Sequence, residues 1–208
     1  MNEQWTYVGA ATAGQTVALA VARPRWSLWR EGRRPRGAWE PNLVSLVRRD
    51  REDAVRRLAQ DAGDVRTPLG ESPHPVLLVD RSEVGGGDLL LRALDRALER
   101  GRALRRVRMI PLDVTVRDVE RSADVVARRT VLAPLLDALE RDVLILPKGP
   151  IGDEFVDQYE ALARKPEALG PREDLVRAVA LCVWAIDVEG RVAAGGAGEP
   201  REGRLNVY

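Results

Sequence analysis

Cysteine and histidine are all but missing from this 208-residue chain, which carries one of each, Cys182 and His74. A lone cysteine excludes a disulfide framework and a cysteine-rich zinc site, and a lone histidine excludes HExxH zinc chemistry. Lysine is nearly absent too: Lys148 and Lys165 are the only two, so arginine carries the positive charge. Charge of one sign is not in excess either. The 33 basic and 32 acidic residues leave a formal +1, so any nucleic-acid contact has to be a local patch and not a basic coat. No apolar run approaches the roughly 20 residues of a membrane span. The opening MNEQWTYVGA has no basic n-region. No signal peptide is therefore expected, no membrane partner, and a reducing cytoplasm is the expected compartment. No G-x-x-x-x-G-K-[ST] loop occurs, which excludes a P-loop motor within this chain.

What is present reads as one soluble domain with its own core, 45% apolar and 31% charged. Residues 1–188 are expected to form it, with a Gly-rich tail over 189–208. Trp5–Ala10 and Thr16–Ala22 read as strands joined by a short turn, hence an antiparallel hairpin. Residues 23–39 read as loop or extended ribbon, and Asn42–Val47 as a third strand. Asp50–Gln60 has helical spacing, with Asp50 as a candidate N-cap. Prolines and glycines mark 61–75 as loop. Val76–Val79 is a continuous apolar run, as in a strand buried on both faces, and it ends at Asp80. A helix over Asp88–Arg100 and a strand over Val107–Leu112 follow. Next come a helix over Val125–Arg141 kinked at Pro134, a strand over Val143–Leu146, and helices over Phe155–Arg164 and Glu173–Ile186. The alternation predicts an α/β fold, with an antiparallel meander leading into parallel strands flanked by helices.

Ligands of such sheets gather at strand ends. Asp80 ends a buried strand, and Glu173 and Asp174 open the last long helix. Carboxylates so placed suit a hard divalent cation, Mg²⁺ or Mn²⁺, and two such ions serve phosphodiester displacement. A further carboxylate is expected from the first strand, beside Asp80. The residue there is Ala11, which has no oxygen to donate.

Three stretches then resemble one family, the nuclease domain of phage terminase large subunits, within the ribonuclease H-like superfamily. Gly9-Ala10-Ala11-Thr12-Ala13 is similar to a Gly-x-Asp-x-Ala strand end, with Ala11 in the aspartate's place. Val79-Asp80-Arg81-Ser82-Glu83-Val84-Gly85 resembles Val-Asp-x-x-Gly-x-Gly. Glu173-Asp174-Leu175-Val176-Arg177-Ala178 resembles Asp-Asp-Leu-Val-x-Ala. The resemblance implies a ribonuclease H-like mixed sheet and metal-dependent cleavage of duplex DNA. It makes Asp80, Glu173 and Asp174 the catalytic metal ligands, Mg²⁺ or Mn²⁺ the cofactor, and a separate packaging ATPase or portal a partner. Ala11 leaves that set incomplete, so a degenerate module that binds DNA or a packaging partner without cutting stands beside the nuclease reading. Nucleotide binding of the actin or sugar-kinase type is a third alternative.

Other features carry two readings each. Between Arg23 and Trp39, six arginines (Arg23, Arg25, Arg30, Arg33, Arg34 and Arg36) interleave with three tryptophans. They suit phosphate contact and base stacking, or a ribbon whose tryptophans pack on the core while its arginines face water. Gly85-Gly86-Gly87 could cradle phosphate or form a loose turn. Glu173 and Asp174 could simply favour a helix N-terminus. Asp113, Asp118 and Asp124 read as solvated loop acids, His74 as a loop residue, and Cys182 as an inert buried thiol.

Overall fold

A computed structural model describes residues 5–31, 34–82, 86–100, 107–115, 125–164 and 173–194. In chain order its strands are β1 (Thr6–Ala13), β2 (Thr16–Glu31), β3 (Arg34–Asp50), β4 (Pro75–Asp80), β5 (Arg108–Thr115) and β6 (Val125–Ala127). Its helices are α1 (Arg51–Gly63), α2 (Pro68–Glu71), α3 (Gly86–Arg100), α4 (Arg128–Glu140), α5 (Pro150–Arg164) and α6 (Asp174–Ala194). The strands form one sheet in the order β3-β2-β1-β4-β5-β6. β1, β2 and β3 pair antiparallel, while β1, β4, β5 and β6 pair parallel. This is the expected α/β arrangement, an antiparallel meander leading into parallel strands flanked by helices.

Period-2 alternation sorts the strand residues onto two apolar layers. Val8, Ala10, Leu77 and Val79 face α1 and α3, with Leu58, Leu90 and Leu94. Tyr7, Ala11, Ala18, Ala20 and Leu78 face the opposite way, toward α4, α5 and α6. The second face of β1 and β2 is almost all small, and α6 can therefore lie very close. A Cβ on Gly9 would stand 2.0 Å from the Ala178 carbonyl oxygen, so only glycine admits the helix there. Helix α6 is accordingly apolar nearly all round, with Leu175, Val179, Leu181 and Ile186 wholly buried.

The structure departs from the sequence expectations in several places. Residues 23–31 and 34–39 form a paired ribbon, which resolves the loop-or-ribbon alternative for them. Asp50 precedes α1 but makes no side-chain cap. Residues 68–71, expected as loop, form α2, capped by the Thr67 hydroxyl, which accepts from the Gly70 N–H. Val125–Ala127 is a strand and not the start of a helix, so α4 begins three residues later than expected. Val143–Leu146 forms no strand: Leu144 drops into the core and Ile145 is left 72% exposed, with no ladder partner. Helix α6 continues to Ala194, beyond the expected end at Ile186. Its Glu189 accepts from Tyr7 Oη and pairs with Arg108. Gly85, Asp118, Asp124 and residues 195–208 of the expected tail lie outside the described residues.

Candidate functional site

Strand register decides what stands beside Asp80. Ala10 pairs with Val79 in the parallel β1–β4 ladder, so the next step places Ala11 alongside Asp80. Both belong to the face covered by α6, because Tyr7 and Leu78 on the same alternation pack there. Asp80 has no exposed surface, and neither has Asp174; Glu173 is 5% exposed. The end of β4 and the first turn of α6 thus bring all three predicted carboxylates to one end of the sheet.

Each of these carboxylates already has a guanidinium. Arg177, in the first turn of α6, donates from Nη1 to Asp80 Oδ2 at 2.7 Å and to Ser82 Oγ at 3.1 Å. Its Nη2 donates to the Thr12 carbonyl at 2.7 Å. One side chain therefore spans the ends of β1 and β4. The other oxygen of Asp80, Oδ1, accepts from the Ser82 backbone N–H at 2.8 Å and from the Ser82 hydroxyl. Glu173 pairs with Arg128 of α4, both of them buried. Asp174 takes a two-pronged contact from Arg48 of β3, from Nε at 2.7 Å and Nη2 at 2.8 Å, and a third bond from Gln158 Nε2 at 3.1 Å. Gln158 Oε1 in turn accepts from the backbone N–H groups of Leu175 and Val176, so α5 caps α6. Arg48 also pairs with Glu154.

The electrostatics follow from burial and these partners. The hydrogen bond to Asp174 raises the Arg48 pKa above its ordinary value, against the effect of its partial burial. Desolvation lowers that of Arg128, opposed by Glu173 and reinforced by nearby Arg177. The space left between Arg128, Glu173 and Arg177 is about 10 Å³, walled by Val114, Val131 and Val176. That is room for about one water molecule. An open hollow of about 350 Å³ lies next to Arg48, lined by Thr16, Arg49, Asp50 and Asp53.

A pair of divalent cations asks for several free carboxylate oxygens around a shared opening. The residues present do not fit that demand. Position 11 offers a methyl group, arginines hold all three acids, and no group of three or more metal-ligating side chains occurs among the described residues. Sequence reasoning missed Arg48, Arg128, Arg177 and Gln158. One signal was available for Arg177, which follows Glu173 by one helical turn and so lies on the same face of α6.

The predicted DNA-contact arginines sit elsewhere. Tyr7 is opposite Ala22 in the β1–β2 ladder, and β2 and β3 run on together from Arg23↔Asn42 to Glu31↔Arg34. The ribbon therefore leaves the sheet past the N-terminal end of β1, whereas Asp80 stands by its C-terminal end. Arg23 is tied down at the ribbon base, by Glu71, the Pro68 carbonyl and Thr6 Oγ1. Arg25 is 48% exposed and reaches Glu40, a buried acid also held by Ser27 and Arg141. Arg30, Arg34 and Arg36 follow along the same strands, and Arg33 lies outside the described residues. Trp26 and Trp39 face each other across the ribbon as an edge-on pair, with centroids 5.2 Å apart. Trp39 packs on the core and Trp26 is 43% exposed.

The remaining candidates resolve structurally. A Cβ on Gly87 would lie 2.4 Å from the Asp80 carbonyl oxygen, so this glycine lets α3 start against the end of β4. Asp113 lies 3.8 Å from Arg81. His74 packs edge-on against Trp5. The Cys182 thiol contacts the Tyr7 and Ala20 carbonyls, and burial pushes its pKa up to about 12.

No family model and no curated protein matches this chain. Among solved structures it is similar to the human cytomegalovirus terminase nuclease domain, Mn soaked, at 12% identity and a TM-score of 0.49, over 91% of this chain and 86% of that one. It is also similar to Thermus thermophilus RuvC at 11% identity and a TM-score of 0.39, over 91% of this chain and 96% of that one. The same RuvC in complex with a Holliday junction substrate matches at 11% identity and a TM-score of 0.39, with the same coverage. No helix among the described residues is long and apolar enough to cross a membrane.

Proposed function

We propose that this chain is a ribonuclease H-like module that holds duplex DNA through the β2–β3 ribbon and does not cut it at the carboxylates. The observation that carries the reading is the contact of Arg177 with both Asp80 and the Thr12 carbonyl. It leaves the junction of β1 and β4 filled and balanced in charge. The ribbon supports the DNA half. Residues 23–36 hold six arginines and one acid, Glu31, in a chain whose formal charge is only +1, although Arg23 is engaged by Glu71 and Arg25 by Glu40. Binding by such a segment is dominated by phosphate contacts and weakens steeply with salt. Supercoiled plasmid incubated with the protein in MnCl₂ is expected to be retarded in a gel and to stay supercoiled.

A second reading, metal-dependent cleavage with Mg²⁺ or Mn²⁺ on Asp80, Glu173 and Asp174, draws support from the gathering of three buried carboxylates at one end of the sheet. It requires the arginines to leave those carboxylates. Linear or nicked plasmid that appears with MnCl₂ and disappears in Asp80→Asn would establish it in place of the first.

A further inference from the structure

A buried carboxylate needs a counter-charge, and the charge of that partner limits how many carboxylates can share it. Asp80 is wholly buried, and among the described residues the guanidinium in hydrogen-bonding contact with it is that of Arg177, whose side chain is 13% exposed; Arg128, paired with Glu173, adds a more distant positive charge. The groups that Arg177 holds are all oxygens: the Asp80 carboxylate, the Ser82 hydroxyl and the Thr12 carbonyl. Hard divalent cations take the same kind of ligand. Ala11 stands next to Asp80 on the same face of the sheet and is itself fully buried. Arg177 is matched by Asp80 and Arg128 by Glu173, so an aspartate there would add a buried negative charge that neither guanidinium is left to balance and a doubly charged ion in place of Arg177 can.

We infer that Arg177 is the resident cation of this centre and that Ala11 and Arg177 form a matched pair, in which the missing carboxylate and the built-in positive charge require each other. Arg177 is thus a positioning residue that joins β1, β4 and α6, and the fold is independent of divalent metal. The inference deepens the proposed function and rests on its closed centre, not on its DNA contact.

Thermal unfolding of the full chain in EDTA and in MnCl₂, with Mn²⁺ alone as probe, tests it. The wild type is expected to melt at the same temperature in both, within about 1 °C. Arg177→Gln and Asp80→Asn are each expected to lower Tm by roughly 10 °C, because each strands a buried charge or its partners. The two changes together are expected to cost clearly less than their sum. Ala11→Asp combined with Arg177→Gln is expected to be weak in EDTA and to gain at least about 3 °C in MnCl₂, a gain that further addition of Asp80→Asn removes. If the Ala11→Asp combination does not fold in either buffer, the Asp80–Arg177 cycle decides. Additive losses overturn the inference, as does an Arg177→Gln protein that melts like the wild type. Mn²⁺ stabilisation of the wild type that needs Asp80 overturns it as well. If no plasmid is cut, that result leaves the non-cleaving reading standing; if plasmid is cut, both fall. Failure to retard DNA counts against the DNA reading alone.

Discussion

Arg48 and Asp174 meet across 126 residues of sequence as a two-pronged ion pair, with the end of β3 gripping the start of α6. The carboxylate has no exposed surface and the arginine side chain is 24% exposed, so removing the arginine strands a buried charge. Among the described residues, Arg48→Ala leaves Asp174 with Gln158 alone. It is expected to destabilise the protein by about 3 kcal/mol in urea unfolding. Arg48→Lys should recover less than half of that, because an ammonium cannot reproduce the fork.

The closeness of α6 to β1 gives a second prediction. Gly9→Ala puts a methyl group 2.0 Å from the Ala178 carbonyl oxygen, a contact that only backbone movement relieves. A loss of about 2–3 kcal/mol is expected from the urea midpoint. Gly14→Ala separates packing from conformation. Nothing lies near a Cβ there, but φ is +60°, so the cost is expected to be smaller, about 1 kcal/mol.

Alkaline stability follows from two buried groups. Burial raises the Cys182 thiol from 9.0 to about 12, and burial beside Glu189 raises the Tyr7 phenol. Both are neutral in the fold and lose protons more readily when unfolded. Their contribution is whole below the unfolded pKa values and is lost as pH rises toward the folded ones. Stability is therefore expected to fall between about pH 9 and 12, and Cys182→Ala should flatten that fall in a pH series of urea midpoints. Iodoacetamide is expected to label Cys182 only in denaturant.

The ribbon yields a prediction about salt. Neutralising Arg25, Arg30, Arg34 and Arg36 together should weaken duplex binding across sequences and lower the slope of log K against log salt by up to about 4, read by fluorescence anisotropy. Because Arg25 also pairs with the buried Glu40, which keeps Ser27 and Arg141, the same variant should lose no more than about 1 kcal/mol of stability. Arg23→Ala is expected to differ: it contacts Glu71 and Pro68, so its main effect should fall on the docking of α2.

Local pattern accounts for what the sequence revealed of this fold. The run Val76–Val79 ending at Asp80 is a buried parallel strand because nothing polar interrupts it, and short antiparallel strands with a tight turn can only pair with each other. Val143–Leu146 shows the limit of such patterns, since an apolar run without a neighbouring ladder makes no strand. Ala11 was expected beside Asp80 because both read as strand ends, and the β1–β4 register puts them there. The arginines were not. Asp80 and Arg177 lie 97 residues apart, and Glu173 and Arg128 lie 45 apart. Among so many arginines, no local signal marks Arg48 or Arg128, and the spacing of Arg177 from Glu173 gives its helix face but not its partner. Buried acids require such partners, but only the fold says which ones.

The carboxylates of this centre are already neutralised from within, and Mn²⁺ binding to the wild-type chain tests this most directly. Titrating the protein into MnCl₂ and following the electron paramagnetic resonance of free Mn²⁺ is expected to leave the six-line signal undiminished at millimolar metal. A stoichiometric loss of that signal, restored by Asp80→Asn, would contradict the account.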